Sequence, residues 1–166
     1  MARAMSLEGE EQGFGRQTVM KAAGITYRQL DYWAREKIVV PSIADASGSG
    51  SQRRWSFTDI LEIKLIKKLM DSGVSLQQVR KALDYVRDEL KRPLHEVYLF
   101  SDGASIFAST SPDEMIDLLR GGQAVFGIAV SRVYEELQGA IAEFRKPDAE
   151  EEEASVAEER PAEVGV

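Results

Sequence analysis

One glycine does most to constrain this chain. Gly24 separates a short amphipathic stretch, Thr18 to Ala23, from a second one that begins at once. Thr26 is placed to cap that second helix, its hydroxyl accepting a hydrogen bond from a first-turn N–H. Leu30, Trp33 and Ala34 recur at helical spacing and define a face that buries against the first helix. Pro41 cannot continue the helix, so the chain must leave it by about Val40. Two helices this short around a single-glycine turn form a helix-turn-helix, in which the second helix presents its N-terminal residues toward a partner. Here those residues are Tyr27, Arg28 and Gln29.

The next segment has the shape of a wing. VVPSI and SQRRWSF are extended stretches flanking ASGSGS, a run too flexible to be an element, and a two-stranded hairpin fits them. Ser56 and Asp59 resemble a capping box, and Phe57, Ile60, Leu61, Leu65 and Leu69 then trace one helical stripe, with Lys64, Lys67 and Lys68 off it. Gly73 closes that helix. Ser75 and Gln78 open another, whose Leu76, Val79, Leu83, Val86 and Leu90 repeat every three or four residues up to Pro93.

Charge is segregated along the 166 residues. The chain carries a formal net charge of -7, which by itself disfavours a polyanionic partner. From Arg16 to Arg92, however, fifteen lysines and arginines face nine acids, a net of +6; from Pro93 to Val166 five face sixteen, a net of -11. A basic half joined to an acidic half suits a nucleic-acid-binding module carrying a second function. A lysine-rich solvated helix surface is the plain alternative.

The residues quoted above also carry a family likeness. GITYRQLDYWAREKIVVPS, followed by GSQRRWSFTDI and LMDSGVSLQQVR, resembles the DNA-binding domain of MerR-type transcription regulators over residues 16 to 92. The resemblance is closest to a branch that has a small C-terminal domain in place of a long dimerising coiled coil. It implies that Tyr27 and Arg28 face base edges in the major groove; apart from the resemblance, base readout demands bidentate donors such as Arg28 or Gln29. It implies that Tyr32 reaches a phosphate while Trp33 packs inward, that Arg35 meets the backbone, and that Arg53 is the wing arginine contacting phosphate. Arg54 and Trp55, the latter replacing a tyrosine, join the phosphate set. Two positions depart from the family: Asp31 stands where arginine is usual and Ser51 where glycine is usual. The aspartate either accepts from a cytosine amino group or pairs with Arg35 or Arg28.

In the second half, Val97 to Ser109 reads as two apolar strands around an Asp102-Gly103 turn. Ser111-Pro112-Asp113-Glu114 gives a cap, an N1 proline and an acidic first turn for a helix ending at Gly121-Gly122. QAVFGIAV is a buried strand or a helix start, and Ser131 to Phe144 a final amphipathic helix with Val133, Leu137, Ile141 and Phe144 inward. About 53 residues without disulfide or metal make too small a core alone, a lack that pairing with a second copy would meet. The expected fold is mostly α with small β, an α+β chain. Its expected parts are a flexible arm over 1–15, a winged helix-turn-helix domain over 16–92, a small α+β dimerisation or effector domain over 93–146, and a disordered acidic tail over 147–166.

Catalysis and cofactors find no foothold in the sequence. With no cysteine there is no disulfide, thiolate metal site or sulfur redox switch. His95 is the only histidine, so neither a two-histidine metal site nor a serine-histidine relay is expected. Asp113, Glu114 and Asp117 read as complement to a helix dipole. No apolar run approaches the ~18 residues of a membrane span and no secretion leader opens the chain, so a cytoplasmic, nucleoid-associated protein is expected. The reading is a sequence-specific, homodimeric regulator of double-stranded promoter DNA, with RNA polymerase as a further partner and its effector an organic ligand, a protein or nothing. Two alternatives remain: an architectural excisionase-like DNA-binding protein, and a protein-interaction adaptor that has lost DNA binding.

Overall fold

The computed structural model describes residues 13–45 and 52–145, the side chain of Arg145 aside. The expected hairpin tip, the first twelve residues of the expected arm and the acidic tail lie outside the described residues. Helix α1 (Arg16–Ala23) begins two residues earlier than its amphipathic pattern suggests and ends on Gly24, whose N–H donates to Met20 O at 2.9 Å. At φ 70° Gly24 sits in the left-handed region, where a side chain would be strained. Helix α2 (Tyr27–Arg35) opens with a complete capping box: Gln29 N–H donates to the Thr26 hydroxyl, and Thr26 N–H donates back to Gln29 Oε1. It ends well before Pro41, through a turn in which Lys37 adopts φ 56° and Ile38 N–H donates to Trp33 O.

Among the described residues the hairpin shows one bridge, Ala44 with Arg54. Ala44 and Arg54 exchange backbone hydrogen bonds, and Trp55 exchanges another pair with Phe14. Phe14 thereby joins the hairpin base through an isolated bridge and is buried to 8% exposure, so residues 13–15 of the expected arm pack with the fold. Gly13 is required there: its φ is +70°, and a Cβ would lie 2.9 Å from Ile43 Cγ1 and 3.0 Å from the Trp55 carbonyl.

Helix α3 (Phe57–Asp71) forms the centre of the molecule. Ser56 and Asp59 make the anticipated capping box. Besides the expected stripe, Ile63 and Ile66 are fully buried, because α3 packs against α1, α4 (Leu76–Tyr85) and α6 (Val130–Arg145). A helix surrounded by three others must be apolar around most of its circumference. Helix α4, capped by Ser75, widens in its last turn, Val86–Leu90, where Lys91 N–H reaches back five residues to Val86 O.

Strands β1 (Tyr98–Ser101), β2 (Ile106–Ser109) and β3 (Phe126–Ala129) form an antiparallel sheet of order β2-β1-β3. In the β1–β2 turn Asp102 accepts from the N–H groups of Ser105 and Ala104, which hold its carboxyl below the ordinary aspartate value. Helix α5 (Pro112–Arg120) has Ser111 as cap and Pro112 in its first turn. One hydrophobic core runs through both halves: Leu99, Val130, Val133, Leu137 and Ile141 bury in the same cluster as Val19, Trp33 and Leu61. At the junction Tyr134 meets Phe57 edge-on at 5.0 Å and His95 at 4.9 Å. The fold is α+β, as the sequence indicates.

Candidate nucleic-acid interface

At 100° per residue, Tyr27, Asp31, Arg35, Arg28 and Tyr32 fall within roughly 140° of the α2 circumference. Trp33, Leu30 and Ala34 occupy the other side and are buried. Tyr27 and Tyr32 stay 48% and 47% exposed. Arg28 is exposed and, among the described residues, has no hydrogen-bond or ion-pair partner. A helix whose inner face is pinned to α1 and the hydrophobic core and whose outer face offers two phenols and two guanidinium groups is a rigid presenter of donors. Arg16, at the start of α1, lies with its guanidinium carbon 5.2 Å from the Tyr27 ring centre and extends this surface. The sequence reading missed it by starting the helix at Thr18.

Gln29 is not displayed in the same way. Its Oε1 accepts from Thr26 N–H at 3.1 Å and lies 3.4 Å from the Thr26 hydroxyl, so one half of the bidentate pair that adenine recognition needs is engaged in the capping box.

Asp31 joins the helix to the hairpin. Its Oδ2 pairs with Arg35 Nε and its Oδ1 with Arg53 Nη1, both at 2.9 Å. Of the two arginines considered from sequence, Arg35 is the partner and Arg28 is not. The hydrogen bond from Arg53 holds the Asp31 carboxyl below its ordinary value against a desolvation penalty, and the charge of Arg35 adds to the pull. Arg53 Nε lies 3.5 Å from Asp45 Oδ1. A pairing across 22 residues leaves no local signature, which is why the sequence did not reveal it.

Two expected phosphate contacts have other places. Trp55 is fully buried, its indole N–H enclosed without a partner among the described residues, so it belongs to the core that supports the hairpin. Arg54 turns inward and donates from Nη2 to the Gly13 carbonyl at 2.7 Å, bracing the hairpin base. The α3 lysines are likewise engaged within the chain. Lys64 and Lys68 each lie 3.7 Å from Glu136 of α6, and Lys67 pairs with Asp71 at 2.8 Å.

Elsewhere, a groove of about 680 Å³ runs between α4, the β1–β2 hairpin and α5, with Tyr85, Phe100 and Phe107 among its lining. Among the described residues no three His, Asp or Glu side chains converge to hold a metal ion, and no helix is long and apolar enough to cross a membrane.

Short helices at a glycine turn, a recognition helix with an exposed cationic face and a following hairpin together define a winged helix-turn-helix. Residues 17–86 match the family described as MerR HTH family regulatory protein. The HTH-type transcriptional regulators Rv1830 of Mycobacterium tuberculosis and Mb1861 of Mycobacterium bovis are each 49% identical to this chain over 154 residues, covering 93% of it and 68% of the relative. The chain belongs to the MerR family of helix-turn-helix transcription regulators.

Proposed function

We propose that the protein is a homodimer that recognises an inverted repeat in double-stranded promoter DNA and regulates transcription there. The single observation that carries this reading is the exposed arc of α2, with Arg28 unengaged among the described residues at the tip of a helix whose other face is locked into the core. Arg28 reads a base edge, Tyr27 packs beside it, and Tyr32, Arg35 and Arg53 register the protein on phosphates. One such helix reads only a few base pairs, so useful specificity calls for two half-sites about one helical turn apart and hence for a second copy. RNA polymerase is the partner expected at such a promoter.

Selection of bound duplexes from a random pool, followed by footprinting and sedimentation of the complex, tests the reading. The expected result is one inverted-repeat sequence protected by two protein chains. Failure to retain duplex DNA of any sequence at low salt refutes it.

A further inference from the structure

Arg53 is the cation the hairpin brings toward the candidate interface, yet its charge is already met from within the chain. Asp31 holds Nη1 at 2.9 Å from the recognition helix, and Asp45, on the outgoing hairpin strand, stands 3.5 Å from Nε. Arg35 takes the second oxygen of Asp31. Arg53 and Arg35 therefore meet carboxylates of their own chain where a sugar-phosphate backbone would approach. The two carboxylates hold Arg53 unequally. Asp31 is 26% exposed and gripped on both oxygens, whereas Asp45 is 57% exposed and its contact with the buried Nε is too poor to count as a hydrogen bond. A guanidinium between two carboxylate oxygens is presented as it would be to two phosphate oxygens.

We propose that Asp31 and Asp45 are specificity-determining residues: they clamp Arg53 in the free protein, and Asp45 yields its place to a DNA phosphate only when base contacts supply the difference. The proposal rests on the DNA-binding reading above. Non-specific affinity comes almost wholly from phosphate neutralisation and counterion release, so a cation cancelled in advance contributes little on random sequence. An approaching phosphate also meets the negative charge of Asp45 and must displace it. On the operator, hydrogen bonds from Arg28 to a base edge fix the register and hold the phosphate against Arg53 long enough for the exchange. Asp31 keeps its grip throughout and aims the guanidinium, which makes it the positioning member of the pair.

The test uses the full chain with Asp45→Asn, Arg53→Ala and the two combined, titrated by fluorescence anisotropy against a selected operator and a random duplex between roughly 50 and 200 mM salt. Asp45→Asn is expected to bind the random duplex about fivefold more tightly at the low end. Its log–log salt slope should steepen by about 0.9. The gain on the operator is expected to be smaller, so the specificity ratio falls. In the Arg53→Ala background the Asp45 substitution should change neither quantity, a dependence that a purely structural role for Asp45 would not produce. Equal slopes for Asp45→Asn and parent on random DNA, or an Asp45 effect that persists without Arg53, overturn the clamp while leaving DNA binding standing. Failure of the parent and every variant alike to retain duplex overturns the DNA-binding reading and the clamp with it.

Discussion

Asp59 ties three pieces of chain together through one oxygen. Its Oδ2 accepts from Ser42 N–H, the Ser42 hydroxyl and Ser56 N–H, each at 2.8 Å, while its own N–H donates to the Ser56 hydroxyl at 3.0 Å. The carboxylate is 7% exposed at the start of α3, where the helix dipole also favours it. Asp59→Ala removes the capping box, which costs about 1 kcal/mol. It also removes two charge-assisted bonds to Ser42; because Ser42 is exposed and water recovers part of the loss, we assign about 1 kcal/mol to each. The sum is about 3 kcal/mol, equivalent to a fall in melting temperature of roughly 6–12 °C for a domain of this size. Urea denaturation followed through the buried Trp33 and Trp55 gives the free energy directly. Asp59→Asn, which keeps an acceptor oxygen without the charge, should lose about half as much. A loss below about 0.5 kcal/mol for the alanine variant would refute the claim that this carboxylate anchors the hairpin to α3.

Other consequences of the geometry can be measured separately. Arg28→Ala should relax sequence preference at one operator position at a cost of about 1–3 kcal/mol, read by binding to operators mutated singly. Leu137→Ala, in a fully buried position of the shared core, should lose about 3–5 kcal/mol in one cooperative transition; two separated transitions would count against a continuous core. Lys37→Gly should raise stability by about 0.5–1 kcal/mol in calorimetry, because a lysine at φ 56° carries left-handed strain that glycine lacks. Asp31 should titrate below the ordinary value of 3.8 by carboxyl NMR and move back toward it in Arg53→Ala. Since the folded value is depressed, the ion pair is intact above the unfolded value and is lost only as pH falls through the folded one; near pH 7 it contributes no pH dependence.

What the sequence made legible was governed by local chemistry. Thr26, Ser56, Ser75 and Ser111 all cap the helices they precede, and Asp102-Gly103 turns its hairpin, because each signal acts within four residues of itself. The burial of Trp33 was also legible from helical periodicity, whereas the exposure of Tyr32 was implied by the family resemblance. What escaped depends on contacts between distant segments. Ile63 and Ile66 lie outside the expected α3 stripe and are buried because α1, α4 and α6 all pack against that helix. Trp55 was grouped with its arginine neighbours, although a large apolar ring alternating with charged residues in a short strand is itself a signal of an inward-facing position. The Asp31–Arg53 pair needed the hairpin folded back onto α2 before it existed at all.

The continuity of the interior across residue 92 has a practical corollary for anyone dissecting this regulator. Val97, Leu99, Val130, Val133, Leu137 and Ile141 plug the same interior that seats the reading helices. Cutting the chain after Arg92 would strip those plugs away and leave a greasy, self-adhering fragment. A hybrid that borrows this winged helix must import α6 along with it, because Val133, Leu137 and Ile141 complete its interior.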